Sequence, residues 1–101
     1  MKAIGYTQSG AINAPNALVE FESEMPTLQA NDLLVEIKGI AMNPVDTKVR
    51  AVMAPESGTK IIGYDAAGIV KEIGSNVTRF KVGDALFYAG DITRTGTNAQ
   101  F

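Results

Sequence analysis

Four side chains in two short stretches hold most of the chemistry this sequence can offer. Asn43, Asp46 and Lys48 fall in Asn43-Pro44-Val45-Asp46-Thr47-Lys48, and Tyr64 falls in Gly63-Tyr64-Asp65. The Asn43 amide NH2 can donate hydrogen bonds. The Tyr64 phenol, with an ordinary pKa of about 10, stays protonated at neutral pH and donates as well. Neutral donors of this kind suit negative charge that develops on an oxygen. Lys48, one helical turn on from Pro44, adds an electrostatic or proton-donating group. Each residue also has a plainer reading. Asn43 is a good helix N-cap, a role that uses its side-chain oxygen and leaves the NH2 free. Asp46 sits in a first helical turn, four residues before Arg50, where it suits the helix dipole and can pair locally. Tyr64 reads as a strand-edge aromatic and Lys48 as a solvated helix lysine.

Composition removes whole classes of chemistry. The 101 residues contain no histidine, cysteine or tryptophan. A structural zinc cluster is excluded, any catalytic zinc would rest on carboxylates alone, and Cys-His and Ser-His-Asp catalysis are out. Nine Lys and Arg against eleven Asp and Glu give a net charge of −2 with no basic footprint for nucleic acid. Lys71, Arg79 and Lys81 form the one local basic cluster and read as a solvated face. No apolar run approaches the ~20 residues of a membrane span. The N-terminus runs straight into a strand pattern without a signal peptide, so the expected location is cytoplasmic. Asn76-Val77-Thr78 reads as a turn.

The elements that must position these residues are mostly strands. Alternation marks Lys2 to Tyr6, Leu18 to Glu22 and Leu33 to Ile40, where Leu33, Val35 and Ile37 face one way and Glu36 and Lys38 the other. Gly39 within that run predicts a bulge or a close backbone approach. Asn43-Pro44 starts the one short helix, near residues 44–51, which the Ala54-Pro55-Glu56-Ser57-Gly58 loop must end. Strands return from Ile61, at Ala66 to Ile73 and at Ala85 to Tyr88. Val77, Phe80 and Val82 read as apolar anchors of a tight connection, with Phe87 and Tyr88 as core and edge residues. Gly90 to Asn98 reads as a loop, and Ala99-Gln100-Phe101 as the start of a further strand. The expected fold is mostly β, a distorted barrel with glycine corners and one short helix.

Two segments carry a family resemblance: Gly39 to Lys48, and Gly63-Tyr64-Asp65-Ala66-Ala67-Gly68-Ile69-Val70 continuing through Ile73-Gly74, Val77, Phe80 and Val82-Gly83-Asp84. Together they resemble the N-terminal, GroES-like catalytic domain of the medium-chain dehydrogenases/reductases, closest to the quinone oxidoreductase-like branch often labelled zinc-type alcohol dehydrogenase-like. The resemblance covers essentially residues 1–101. It implies hydride transfer from NADPH or NADH to a small carbonyl compound, often a quinone or an enone. It places Asn43, Tyr64 and Lys48 at catalytic positions and Asn43 and Asp46 beside the cofactor. The zinc enzymes of the family carry Cys-x-x-Asp-x-His and Gly-His-Glu in these segments. Here Asn43 stands for the cysteine, Lys48 for the relay histidine and Tyr64 for the ligand histidine. Only Asp65 remains as an oxygen ligand, in place of the glutamate. No bound metal is expected.

No glycine-rich phosphate-cradling turn lies between a strand and a helix. The family's Rossmann cofactor domain is therefore absent, and the chain is expected to be an incomplete domain of a longer enzyme, inactive alone and a poor binder of NADPH or NADH. The competing class is a stand-alone GroES-like β-barrel that acts as a binding or assembly module. An open sheet edge or apolar interface predicts self-association as a homodimer.

Overall fold

The computed structural model describes all 101 residues, Met1–Phe101. The chain forms β1 (Lys2–Tyr6), β2 (Val19–Glu22), β3 (Leu33–Ala41), α1 (Pro44–Val52), β4 (Lys60–Ile61), β5 (Asp65–Ile73) and β6 (Ala85–Ala89). The strands make two three-stranded sheets, ordered β2-β1-β4 and β3-β5-β6. Every pairing is antiparallel. The mostly β fold with one short helix is thus as the sequence predicts.

In the first sheet β1 is central. Ala3, Gly5 and Tyr6 are buried while Lys2 and Ile4 are exposed, the alternation expected of a strand with one covered face. In the second sheet β5 is central, and its register with β3 shifts between Ile37 and Gly39. The predicted bulge is there, with Lys38 as the unopposed residue. Gly68, in the middle of β5, explains a different glycine: a Cβ there would press on Val35 Cγ1 at 2.7 Å and on the Glu36 carbonyl carbon at 3.0 Å. The close approach of β3 needs a residue without a side chain.

Helix α1 packs on the first sheet through Val49, in a core cluster with Tyr6, Ile62 and Tyr64. Its C-terminal end is tied down by the Tyr6 hydroxyl, which donates to the carbonyls of Val49 at 3.1 Å and Met53 at 2.6 Å. Burial pushes the Tyr6 phenol up, and the Arg50 charge partly opposes this. Arg50 lies over the Tyr6 ring, 5.3 Å from its centroid, and donates to the Gly10 and Ala11 carbonyls at 3.0 and 3.2 Å. The expected Asp46–Arg50 pair is therefore not made. The helix turns both residues into the protein, where backbone groups meet each of them first.

The last residues lock the two sheets together. Gly96, Thr97 and Asn98 N–H donate to the carbonyls of Ile61, Gly63 and Ile62 at 2.9, 2.7 and 2.9 Å. Ala99 then bridges to Ala3. Gln100 exchanges hydrogen bonds with Lys2 of β1, while its carbonyl accepts the Ile37 N–H of β3 at 2.9 Å. The segment read as a new strand is thus a single bridge and a clasp.

Three apolar expectations need correction. Phe87 is 87% exposed, and Phe80 and Val82 are also exposed. β6 is an edge strand with no layer over its outer face, so Phe87 points outward while Tyr88 is half-buried. No helix is long and apolar enough to cross a membrane.

Candidate functional site

The two stretches singled out in the sequence meet at the start of α1. Pro44 fixes the first helical residue, and Asn43 stands in extended backbone before it. Asp46 does the joining. Its Oδ2 accepts the Asn43 N–H and its Oδ1 accepts the Gly63 N–H, both at 2.8 Å. At 1% exposure this carboxylate is sealed from solvent and bonded to both chain segments. The Asn43 side chain turns the other way, donating from Nδ2 to Asp65 Oδ2 at 2.7 Å. A carboxylate only accepts, so this contact fixes which end of the amide faces Asp65. The NH2 expected to be free is therefore half committed, with one N–H left over.

Tyr64 lies between these contacts, and its backbone is held on several sides. Gly63 before it donates to Asp46 and accepts from the Thr97 N–H, and the Tyr64 carbonyl accepts the Gly90 N–H. Gly63 itself has a φ of +97°, a left-handed conformation that glycine adopts without strain. The Tyr64 side chain is not at a strand edge. It is 4% exposed, packs with Tyr6, Val49 and Ile62, and its buried hydroxyl has no hydrogen-bond partner in the protein. Burial pushes the Tyr64 phenol up, and the nearby Asp46 charge and Tyr6 push the same way. The group is a neutral donor.

Lys48 is not brought to this cluster. It is exposed, on the side of α1 away from the buried Asp46, Val49 and Arg50. Beside Gly63 and Tyr64 opens a cavity of about 690 Å³, which Thr97, Leu86, Phe87 and Tyr88 also line. Thr97 lies in the stretch from Gly90 to Asn98 whose composition predicts a loop. It is 5% exposed, and its hydroxyl, like that of Tyr64, is unpartnered. Gly96 before it fits against the Ile62 backbone only because it lacks a Cβ.

No group of three or more His, Cys, Asp or Glu is arranged to hold a metal ion. At the positions the zinc enzymes use, the donors are an amide, a phenol and one carboxylate. The carboxylate and the amide are bonded to each other.

Comparison with known proteins identifies the family. Residues 29–100 match the alcohol dehydrogenase GroES-like domain. The chain is 37% identical over 101 residues to a zinc-type alcohol dehydrogenase-like protein of Staphylococcus epidermidis, covering 100% of this chain and 30% of that protein. It is 36% identical over 95 residues to a 2-methylene-furan-3-one reductase of Solanum lycopersicum, covering 91% of this chain and 24% of that one. Among solved structures, Escherichia coli quinone oxidoreductase complexed with NADPH superposes with a TM-score of 0.77 at 32% identity, over 89% of this chain and 27% of that one. The chain thus spans about 30% of the length of the curated relatives it matches. Both the sequence match and the shared fold place it in one group: the chain belongs to the alcohol dehydrogenase GroES-like domain family, the N-terminal domain of medium-chain dehydrogenases/reductases.

Proposed function

We propose that this chain is the substrate-binding and catalytic part of a longer NAD(P)H-dependent oxidoreductase that reduces a small carbonyl, quinone or enone without catalytic zinc. The observation that carries the reading is the double hydrogen bond of Asp46, which sets Asn43 and the Tyr64 turn beside one another. When bound, NADPH or NADH supplies the hydride. The chain's own residues answer the charge that then builds on the substrate oxygen. Asn43 offers its remaining N–H, the other being held by the Asp65 carboxylate, and Tyr64 offers a hydroxyl with no competing partner. Toward the cofactor, Asn43 is the contact residue and Asp46, with both oxygens engaged, fixes its position.

Zinc does not fit this donor set. A metal at this point would need Asn43 and Asp65 to turn lone pairs toward it, whereas they bond to one another. The names of the NADPH-bound E. coli quinone oxidoreductase and the furanone reductase support the substrate class. The same reading includes a homodimer formed through the unpaired β6 edge, where Phe87 stands out from the sheet. A monomer in sedimentation at high protein concentration would remove that part alone.

The test is substitution in the full-length enzyme. Asn43→Ala and Tyr64→Phe should each lower kcat/KM for a quinone with NADPH by about 10²–10³-fold, the range for losing one preorganised donor. Unchanged values in both would refute the donor assignment.

A further inference from the structure

Residues 91–95 are exposed without a break, whereas Gly96 and Thr97 directly after them are buried. Backbone bonds hold both ends of this stretch. Gly90 N–H donates to the Tyr64 carbonyl on one side, and Gly96 and Thr97 N–H donate to the Ile61 and Gly63 carbonyls on the other. Between those anchors the stretch bonds to itself. Asp91 Oδ1 accepts the Thr93 N–H at 2.8 Å and the Thr93 hydroxyl at 2.7 Å, and the Asp91 carbonyl accepts the Arg94 N–H at 3.0 Å. One hydrogen-bonded connection leaves it: Arg94 donates from both terminal nitrogens to the two oxygens of Asp32, 62 residues away. That pair stands at an opening. Asp32, Asp91, Arg94 and Thr95 line the cavity of about 690 Å³ beside Tyr64. The Arg94 side chain is nevertheless 60% exposed and that of Asp32 17% exposed, so the pair bridges the mouth of the cavity rather than its floor.

We propose that residues 91–95 form a strap across the mouth of this cavity, latched shut by the Arg94–Asp32 pair. When the pair parts, the turn closed by Asp91 keeps its own bonds and swings as one piece between the anchors at Gly90 and Gly96. An exposed ion pair is weak in water, and the two-pronged geometry of Arg94 raises its strength without making it permanent. An interaction of that size suits a latch, because thermal motion can open it while the anchors, sealed in the protein, stay in place. Leu33, Val35, Leu86 and Tyr88 wall the cavity behind the strap, so what it admits is a small, largely apolar molecule. On the reductase reading the strap controls entry of substrate, whereas the latch itself stands without that reading.

Backbone amide relaxation, measured by NMR in the full-length enzyme, tests the latch, and neither NADPH nor a carbonyl substrate is needed. In the unaltered enzyme the N–H groups of residues 92–95 should have order parameters near ~0.85, the rigid range, and in Arg94→Gln these should fall below about 0.6. Those of Gly96 and Thr97 should stay high. Arg94→Lys, which keeps the charge and loses the fork, should lie between the two. Order parameters that do not change in Arg94→Gln, or that fall equally at Gly96 and Thr97, overturn the proposal. Access to the cavity is read with the neutral apolar dye Nile red. Arg94→Gln should bind it about 2–5-fold more tightly, the shift in open population that loss of an exposed pair brings. A loosened strap with unchanged dye binding overturns the gating role.

Discussion

Asp46 Oδ1 accepts the Gly63 N–H at 2.8 Å across 17 residues of chain, while its partner oxygen accepts the Asn43 N–H at the same distance. One buried carboxylate therefore joins a helix start to the turn before β5. Asp46→Ala would leave both N–H groups without an acceptor, that of Gly63 in a buried setting. The expected loss of stability is about 2–4 kcal/mol in urea unfolding. Asp46→Asn, which keeps one carbonyl oxygen, should fall between the variant and the unaltered protein. A loss below about 0.5 kcal/mol for Asp46→Ala, the range of an ordinary surface change, would show that the staple does not matter.

Gly68 and Gly39 lie in paired strands but face different surroundings. Gly68→Ala must force β3 away from β5, and a cost of about 1–3 kcal/mol is expected, the usual range for overpacking. Gly39→Ala meets nothing within 4 Å and has no positive φ, so it should stay within about 0.5 kcal/mol of the unaltered protein. Equal costs for the two would contradict the steric account.

Arg94 grips Asp32 with two hydrogen bonds, of 3.1 and 2.9 Å, and thereby ties the loop after β6 to the approach to β3. Those bonds, ahead of the Gln29 N–H and the Arg94 charge, hold the Asp32 carboxyl below the usual carboxylate range against the opposing pull of burial. A pKa lowered in the folded state means that the unfolded chain takes up the proton first. The stabilisation is then complete above the ordinary aspartate pKa of about 3.9 and is lost as pH falls through the lower folded value. The stability gap between the unaltered protein and Arg94→Gln, measured by urea unfolding, should therefore be present at neutral pH and close on acidification. A gap that does not change with pH would assign the effect of Arg94 to packing.

Local pattern was legible in the sequence because local rules govern it. β1 is found over the residues that alternation predicts, the Gly39 bulge is present, and Asn43-Pro44 does start the helix. The partners of charged and aromatic side chains were not legible, because distant segments decide them. Asp46 meets Gly63 rather than Arg50, and Arg50 meets Tyr6, Gly10 and Ala11. Hydrophobicity also misled at Phe87, since a strand's apolar side chain is buried only if another layer covers that face. The candidate site was found as two separate motifs. What the sequence could not show was the carboxylate that joins them and the Thr97 hydroxyl that arrives from a stretch read as loop.

Gln100 reaches back to Lys2, 98 residues away, and also holds β3. On a ribosome the first strand emerges early but can acquire this clasp only once residue 100 has been made. Loop closure over that separation is slow and yields its contacts late. Until then the Gln100 link between β1 and β3 is missing, and the segment that brings Thr97 to Gly63 is also the one that supplies it.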